Sequence, residues 1–422
     1  MGVIRTAFVT SAAALAFMGS ICGAKNKAPS TPILSGPSSG TVGVAVTFKA
    51  TTTDPDGDSV TLQFDWGDAS SPNWSDFIAS GETATATHTY TDSGLFSVKA
   101  KAKDANGNES GWSGILELAL GRPGAEFPDS MARKIWLGGR IRAVRVTPDG
   151  RRLYIGDESL DRILVMRTAD FVVEDTLTIG GSPFALALSP DGEQLYVSTS
   201  TGESLAVIRT SDNTLERWVW TGARPTAIAV APDGSRLFTA NTGEDSLSAI
   251  RVADYSVIAK VAVDSQPYSL AINPTGSRLY LTSPIAGTVS VLSTEPLAVL
   301  TRIPVGPHPI GAIVSPDGLT AYTSCTDSLV YVLSTARDTV TTRIATGGTP
   351  GEFGLSPDGR YLYVANYDYT GMPVVDVASN AILARLNTDG FLSTVAAGPD
   401  GSLLYAADTY QGLYVFVRRG GR

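Results

Sequence analysis

The sequence is notable first for what it has little of. Its 422 residues include two cysteines, Cys22 and Cys325, which excludes a disulfide framework and a zinc site built on cysteine. There are two histidines, His88 and His308, so the side chain that most often moves protons near neutral pH is scarce. Charged residues reach 17% and the net charge is −9. Phosphate binding needs a concentrated basic surface, so this balance argues against nucleic acid as a partner. No phosphate-cradling glycine loop, haem-attachment motif or Ser-x-x-Lys nucleophile motif occurs. Apolar runs are short: the most continuous, Ala7 to Met18 behind Arg5, is too short to hold a membrane span.

That run reads as a secretory signal over residues 1–24. Two cleavage readings stay open. In one, Cys22 is lipidated and residues 25–40, rich in Lys, Asn, Pro and Ser, form a tether off the membrane. Ile21 stands where the lipobox wants a small residue, and Gly19 where leucine is usual. In the other, cleavage near Ala24 discards Cys22. Both readings make the chain an exported one, whether periplasmic, anchored to the outer membrane or extracellular, and a lipid at Cys22 is its only expected membrane attachment.

What the sequence has in plenty is glycine, proline and apolar residues: 43 Gly, 24 Pro and 43% hydrophobic. A packed all-β body with many turns is expected. The strongest signal is a repeat. A Pro-Asp-Gly turn or close variant begins at Pro148, Pro190, Pro232, Pro274, Pro316, Pro357 and Pro399, a spacing of 42 residues that slips once to 41. An apolar stretch precedes each turn, and an apolar-aromatic pair such as Leu153-Tyr154, Leu237-Phe238 or Ala321-Tyr322 follows each of the seven. Each unit carries four β-rich segments, the pattern of propeller blades. The last unit ends after a third strand, and Lys134–Leu137 matches the fourth-strand ending of the other units. An N-terminal strand is therefore expected to complete the last blade and close the ring, which would remove exposed strand edges.

The repeat, Gly-x-x-Pro, apolar strand, Ser-Pro-Asp-Gly, then Leu-Tyr-Val, resembles the YVTN/YncE-like propeller repeat of bacterial and archaeal surface proteins, over about residues 131–420. The resemblance implies a seven-bladed β-propeller and says little about function. Upstream, Trp66-Gly67-Asp68, His88-Thr89-Tyr90 and Gly94-Leu95-Phe96-Ser97-Val98 resemble the PKD-type immunoglobulin-like domain, which implies a spacer or adhesion β-sandwich over residues 41–120 and a structural role for His88. Residues 121–130 read as the linker between the two. The expected fold is thus all-β, a small sandwich before a propeller.

Aligning the repeats places seven residues around one mouth of the central channel: Arg140, Ser182, Arg224, Gln266, His308, Thr349 and Phe391. Loops between second and third strands bring carboxylates and aromatics to the same rim: Asp157, Glu158, Asp161, Glu203, Glu244, Asp245, Asp327, Tyr367, Asp368, Tyr369, Asp408 and Tyr410. Loops on a rigid scaffold often carry binding. The innermost strands are mostly small residues, which Arg145 and Glu352 interrupt; each needs a partner if buried, so a pair across the axis that plugs the channel is expected, and a charged lining that meets a ligand is the alternative. Asp54, Asp56 and Asp58 form a weak Ca²⁺ candidate, with no distal bidentate Glu and no EF-hand spacing. Cys325 reads as a buried small hydrophobe.

No cofactor is expected. The leading expectation is a monomeric exported protein whose propeller recognises a protein, glycan or small molecule at its top face. Related propeller families include lactonases, streptogramin lyases and the haem d1 domain of nitrite reductase, so an enzyme or cofactor binder relying on His308 is the alternative; a purely structural adhesion component is the third reading.

Overall fold

The computed structural model describes residues 26–37, 39–68, 70, 73–91, 94–121, 127–368, 371–410 and 412–418. Cys22, the signal segment and Tyr369 lie outside the described residues. Every regular element described is a β-strand.

The N-terminal body is a two-sheet sandwich. Ile33–Ser35, Val46–Thr51 and Thr83–His88 make one sheet; Ser39–Thr41, Leu116–Gly121, Gly94–Asp104 and Val60–Asp65 make the other. Val46–Thr51 alternates buried and exposed side chains, as a strand with one wet face must. Phe48, Leu62, Phe64, Tyr90, Phe96 and Val98 fill the space between the sheets. The residues 25–40 read as a tether are corrected here: from Ile33 onward they supply two strands, and Ile33–Ser35 pairs with Lys49–Thr51. The proline-rich composition misled because Pro29, Pro32 and Pro37 stand outside the two short edge strands, which contain none.

The rest of the described residues form seven four-stranded antiparallel sheets, arranged like the blades of a propeller. Their inner strands are Ile141–Val146, Pro183–Leu188, Pro225–Val230, Leu270–Ile272, Ala312–Val314, Pro350–Leu355 and Leu392–Ala397. Each inner strand contacts the next, and the last contacts the first, so the blades close into a propeller ring. The seventh blade takes its outer strand from Ser130–Trp136, with Leu413 opposite Ile135 and Tyr414 opposite Lys134. The closure expected from the sequence is present, and the strand begins earlier than Lys134.

The repeat residues explain the blade. In each Pro-Asp-Gly or Pro-Thr-Gly turn the glycine adopts a φ of 69° to 75°, a conformation that a Cβ would strain. The aromatic that follows, Tyr154, Tyr196, Phe238, Tyr280, Tyr322, Tyr363 or Tyr405, is essentially fully buried, and each such side chain contributes roughly 2–3 kcal/mol relative to exposure. Seven nearly equivalent wedges between blades hold a rigid ring around the axis, and the axis is where the sequence breaks its own pattern.

Candidate functional site in the axial channel

The site is built by the first residues of the inner strands. In five blades the ladder between first and second strand slips here: Asp157 pairs with Ile141 and Gly156 with Ala143, leaving Arg142 as the extra residue, and equivalent bulges fall at Pro183/Leu186, Pro225/Ala227, Pro350/Phe353 and Leu392/Thr394. A bulge re-aims the side chain it carries.

Arg142 uses that freedom to cross the channel. Its guanidinium donates to the Tyr367 hydroxyl at 2.9 Å and to the Tyr268 hydroxyl. It also lies 4.3 Å over the Phe184 ring and 5.5 Å from the Tyr268 ring centre, while Phe184 and Tyr268 meet edge to face at 5.6 Å. One side chain of the first blade therefore ties together the second, fourth and sixth. Burial works against its charge, but contact with the Tyr367 and Tyr268 hydroxyls, and then Glu352, outweighs it and holds Arg142 above even the ordinary arginine range. Burial pushes the Tyr268 phenol up to about 12, so it stays a neutral hydrogen-bonding group.

Gly351 makes the arrangement possible. A Cβ there would stand 2.9 Å from the Tyr367 ring and 3.3 Å from the Ser393 carbonyl oxygen. Gly351→Ala is expected to push Tyr367 off Arg142 and cost about 1–2 kcal/mol, measured by chemical denaturation. An unchanged midpoint would show that the ring can move aside freely.

Against this crossbar lies a cavity of about 290 Å³ whose walls include Arg145, Glu352, Ser269, Thr226, Ile228 and Ile313. Ser269 donates to Glu352 at 3.4 Å. Arg145 donates to the Val144 carbonyl at 2.8 Å and presents its side chain to the open channel. The expected direct pair is corrected: no ion pair within 4.0 Å joins Arg145 and Glu352 among the described residues. They feel each other's field without touching, because the small residues of the inner strands leave space between them. Its place inside the ring, away from bulk water, pushes Arg145 down, with Glu352 opposing. Burial pushes Glu352 up, with Arg142, Arg145 and the Ser269 hydrogen bond opposing.

That direction sets a pH dependence. A carboxyl raised above its unfolded value of 4.5 supports folding fully below that value and less as pH rises through the elevated folded one. Glu352→Gln should therefore flatten the loss of stability on the rising limb, read as urea midpoints from about pH 4 to about pH 7. The same slope in variant and parent would contradict the assignment.

Most of the mouth-ring and rim residues have partners close by. Ser182, Arg224, Gln266 and His308 have φ values of 45° to 56°, a left-handed backbone that costs free energy in a non-glycine residue. Asp161 accepts from the Ser182 N–H at 2.8 Å and Asp245 from that of Gln266 at 2.8 Å. Asp157 accepts from Arg140 N–H and pairs with Arg162, and Asp368 accepts from Thr349 N–H. Glu158 pairs with Arg140 and Glu244 with Lys260. Asp327 accepts from Tyr331, and Phe391 meets Tyr410 edge to face. Arg140, Arg224 and His308 are exposed, and no hydrogen bond joins them to one another among the described residues. Tyr367 is the described rim candidate that reaches Arg142.

Elsewhere, His88 bonds Asp68 at 2.6 Å and stacks on Trp66 at 4.8 Å. Burial opposes the Asp68 charge, but hydrogen bonds from Ser70 and His88 hold its carboxyl below the usual range. Asp54 accepts from the N–H groups of Asp56 and Asp58, while Asp56 accepts from Lys27 N–H and Asp58 from Asn106. The Ca²⁺ candidates thus close their own turn, and no three His, Cys, Asp or Glu side chains are placed to hold a metal among the described residues. Cys325 is buried, its thiol pushed up to about 12 by burial and by Asp327.

The aromatic spine of the sandwich, Phe64, Trp66, His88, Tyr90 and Phe96 in sequential contact, carries the motif residues that suggested its family. Residues 26–117 match the PKD domain family. The PKD domain therefore begins within the stretch first read as a tether. Over 68% of this chain and 98% of the other, a solved structure of Kuenenia stuttgartiensis hydrazine synthase is similar, at 19% identity and a TM-score of 0.62. At that identity the likeness shows the fold alone. Because 1051 solved chains match, the architecture is too widely shared to specify chemistry. No curated protein matches the sequence.

Proposed function

We propose that the chain is an exported binding protein of the YVTN/YncE-like type, in which a PKD domain presents a seven-bladed propeller that holds a small molecule in its axial channel. The observation that carries this reading is the Arg142 crossbar: a cation held by Tyr268 and Tyr367 next to a cavity lined by Arg145 and Glu352. A ring that needed only to be filled would close its axis with small apolar side chains, which is how most of the inner-strand positions are occupied. Three charged groups in one cavity are expensive to hold unless something uses them. The PKD match supports an extracellular or surface location, and the leading apolar segment agrees with export. A catalytic role for His308 is not part of this reading, because no hydrogen bond joins it to a nucleophile or carboxylate among the described residues.

Two measurements test the proposal together. Fractionation should find the chain outside the cytoplasm. Extraction of the purified full chain, followed by mass spectrometry, should release a small molecule that an Ala227→Leu variant, with the cavity narrowed, does not carry. Equal recovery from both proteins, or none from the parent, would count against the channel as the site.

A further inference from the structure

The charges in the cavity are not balanced. Arg142 and Arg145 face one carboxylate, Glu352, so the cavity carries a positive excess inside a protein whose net charge is −9. The two cations differ in what they have left to give. Arg142 is committed to Tyr367, Tyr268 and Phe184. The guanidinium of Arg145 makes one hydrogen bond among the described residues, to the carbonyl oxygen of its neighbour Val144, and is exposed to the channel space. A guanidinium has five N–H donors in a planar fork that matches a carboxylate, so most of its capacity points at whatever occupies the cavity. The lining also has an aliphatic part: Ile228, Leu270, Ile272, Ile313 and Val314. That part does not suit a hydrated inorganic ion, and about 290 Å³ sits at the small end of the range for ligand cavities.

Resting on the channel reading above, we infer that the ligand is a small organic monocarboxylate: its carboxylate on Arg145, its short branched or cyclic apolar body against the Ile228–Ile272–Ile313 wall. Glu352 then acts as the selectivity element. Its charge partly offsets Arg145 and repels an incoming anion, so removing that charge should strengthen anion binding.

Isothermal titration of the full chain at neutral pH with three probes on one carbon frame tests this: 3-methylbutanoate, 3-methylbutan-1-ol and 3-methylbutan-1-amine. The carboxylate should bind at least about tenfold tighter than the alcohol and the amine. Arg145→Gln should weaken the carboxylate by at least about tenfold, and Glu352→Gln should tighten it by about tenfold, with neither variant moving the alcohol. Thermal melts of both variants confirm that the ring is folded. Binding of the amine in preference to the carboxylate, or a carboxylate affinity indifferent to Arg145→Gln, overturns the inference. If the alcohol binds as well as the carboxylate and Ala227→Leu abolishes both, the channel reading stands and the anion class falls. No heat from any of the three overturns the inference as well, while extraction still decides whether the channel holds anything.

Discussion

Arg142→Ala should lower the unfolding free energy by about 3 kcal/mol and open the channel mouth. Hydrogen bonds to a charged donor contribute about 1.5–3 kcal/mol each, and the stacking over Phe184 about 1 kcal/mol. Water entering the opened channel can hydrate the two released hydroxyls, so the loss should stay near 3 kcal/mol rather than reach the full sum of the contacts. Arg142→Lys keeps the charge but not the planar fork, and cannot serve Tyr268 and Tyr367 together while lying flat on Phe184. It should lose about 2 kcal/mol. A double-mutant cycle with Tyr268→Phe, read by chemical denaturation, should return a coupling of about 1 kcal/mol or more. Additive losses would mean that the arginine and the tyrosine act independently, and the crossbar would have no energetic basis.

Gly412→Ala should do comparable damage at the other end of the design. Gly412 has a φ of 136°, and it lies opposite Trp136 where the seventh blade receives its N-terminal strand. A Cβ there would overlap the Ile135 carbonyl oxygen and come within 3.0 Å of the Leu137 amide nitrogen. Both are backbone atoms of the closing strand, so the strand must part from the blade to make room. A loss of about 3 kcal/mol is expected from the lost packing and the strained backbone together. Hydrogen exchange should locate it: amides of Ser130–Trp136 should lose protection before those of the inner strands. Uniform loss of protection around the ring would instead show that closure is not the weak point.

These two positions also mark what the sequence does and does not disclose. The blade was legible because its determinants are local and recur. A turn glycine and a buried aromatic at fixed offsets repeat seven times, and the orphan strand before the first unit found its place by matching the endings of the others. The PKD domain was legible in its motif residues, but not in its start, since three-residue edge strands set between prolines look like a tether. The site was only half legible. Arg145 and Glu352 stood out against small neighbours at aligned positions. Arg142, Phe184 and Tyr268 occupy the position just after the repeat's Gly-x-x-Pro proline, which is Ile141 in the first unit and Leu392 in the last; the other blades have Thr226, Ile310, Gly351 and Ser393 there. That column shows the same intrusion of large residues into a converging axis and could have been read the same way. What could not be read is the partner choice. Tyr367 comes from a loop of another blade, 225 residues away, and it reaches Arg142 because Gly351 has no side chain. The rim carboxylates read as a single recognition surface, but their partners are local and mixed: Asp161 and Asp245 accept from the N–H groups of left-handed Ser182 and Gln266, while Glu158 and Glu244 pair with Arg140 and Lys260.

The most direct test of the channel as the working part of this protein is a crystal structure of the chain purified from its own cells. The account predicts a small molecule in the cavity beside Arg142, with a carboxylate on the Arg145 guanidinium and the Arg142–Tyr268–Tyr367 contacts intact. Ordered water alone in the cavity, with a ligand on the exposed rim around His308, would contradict it.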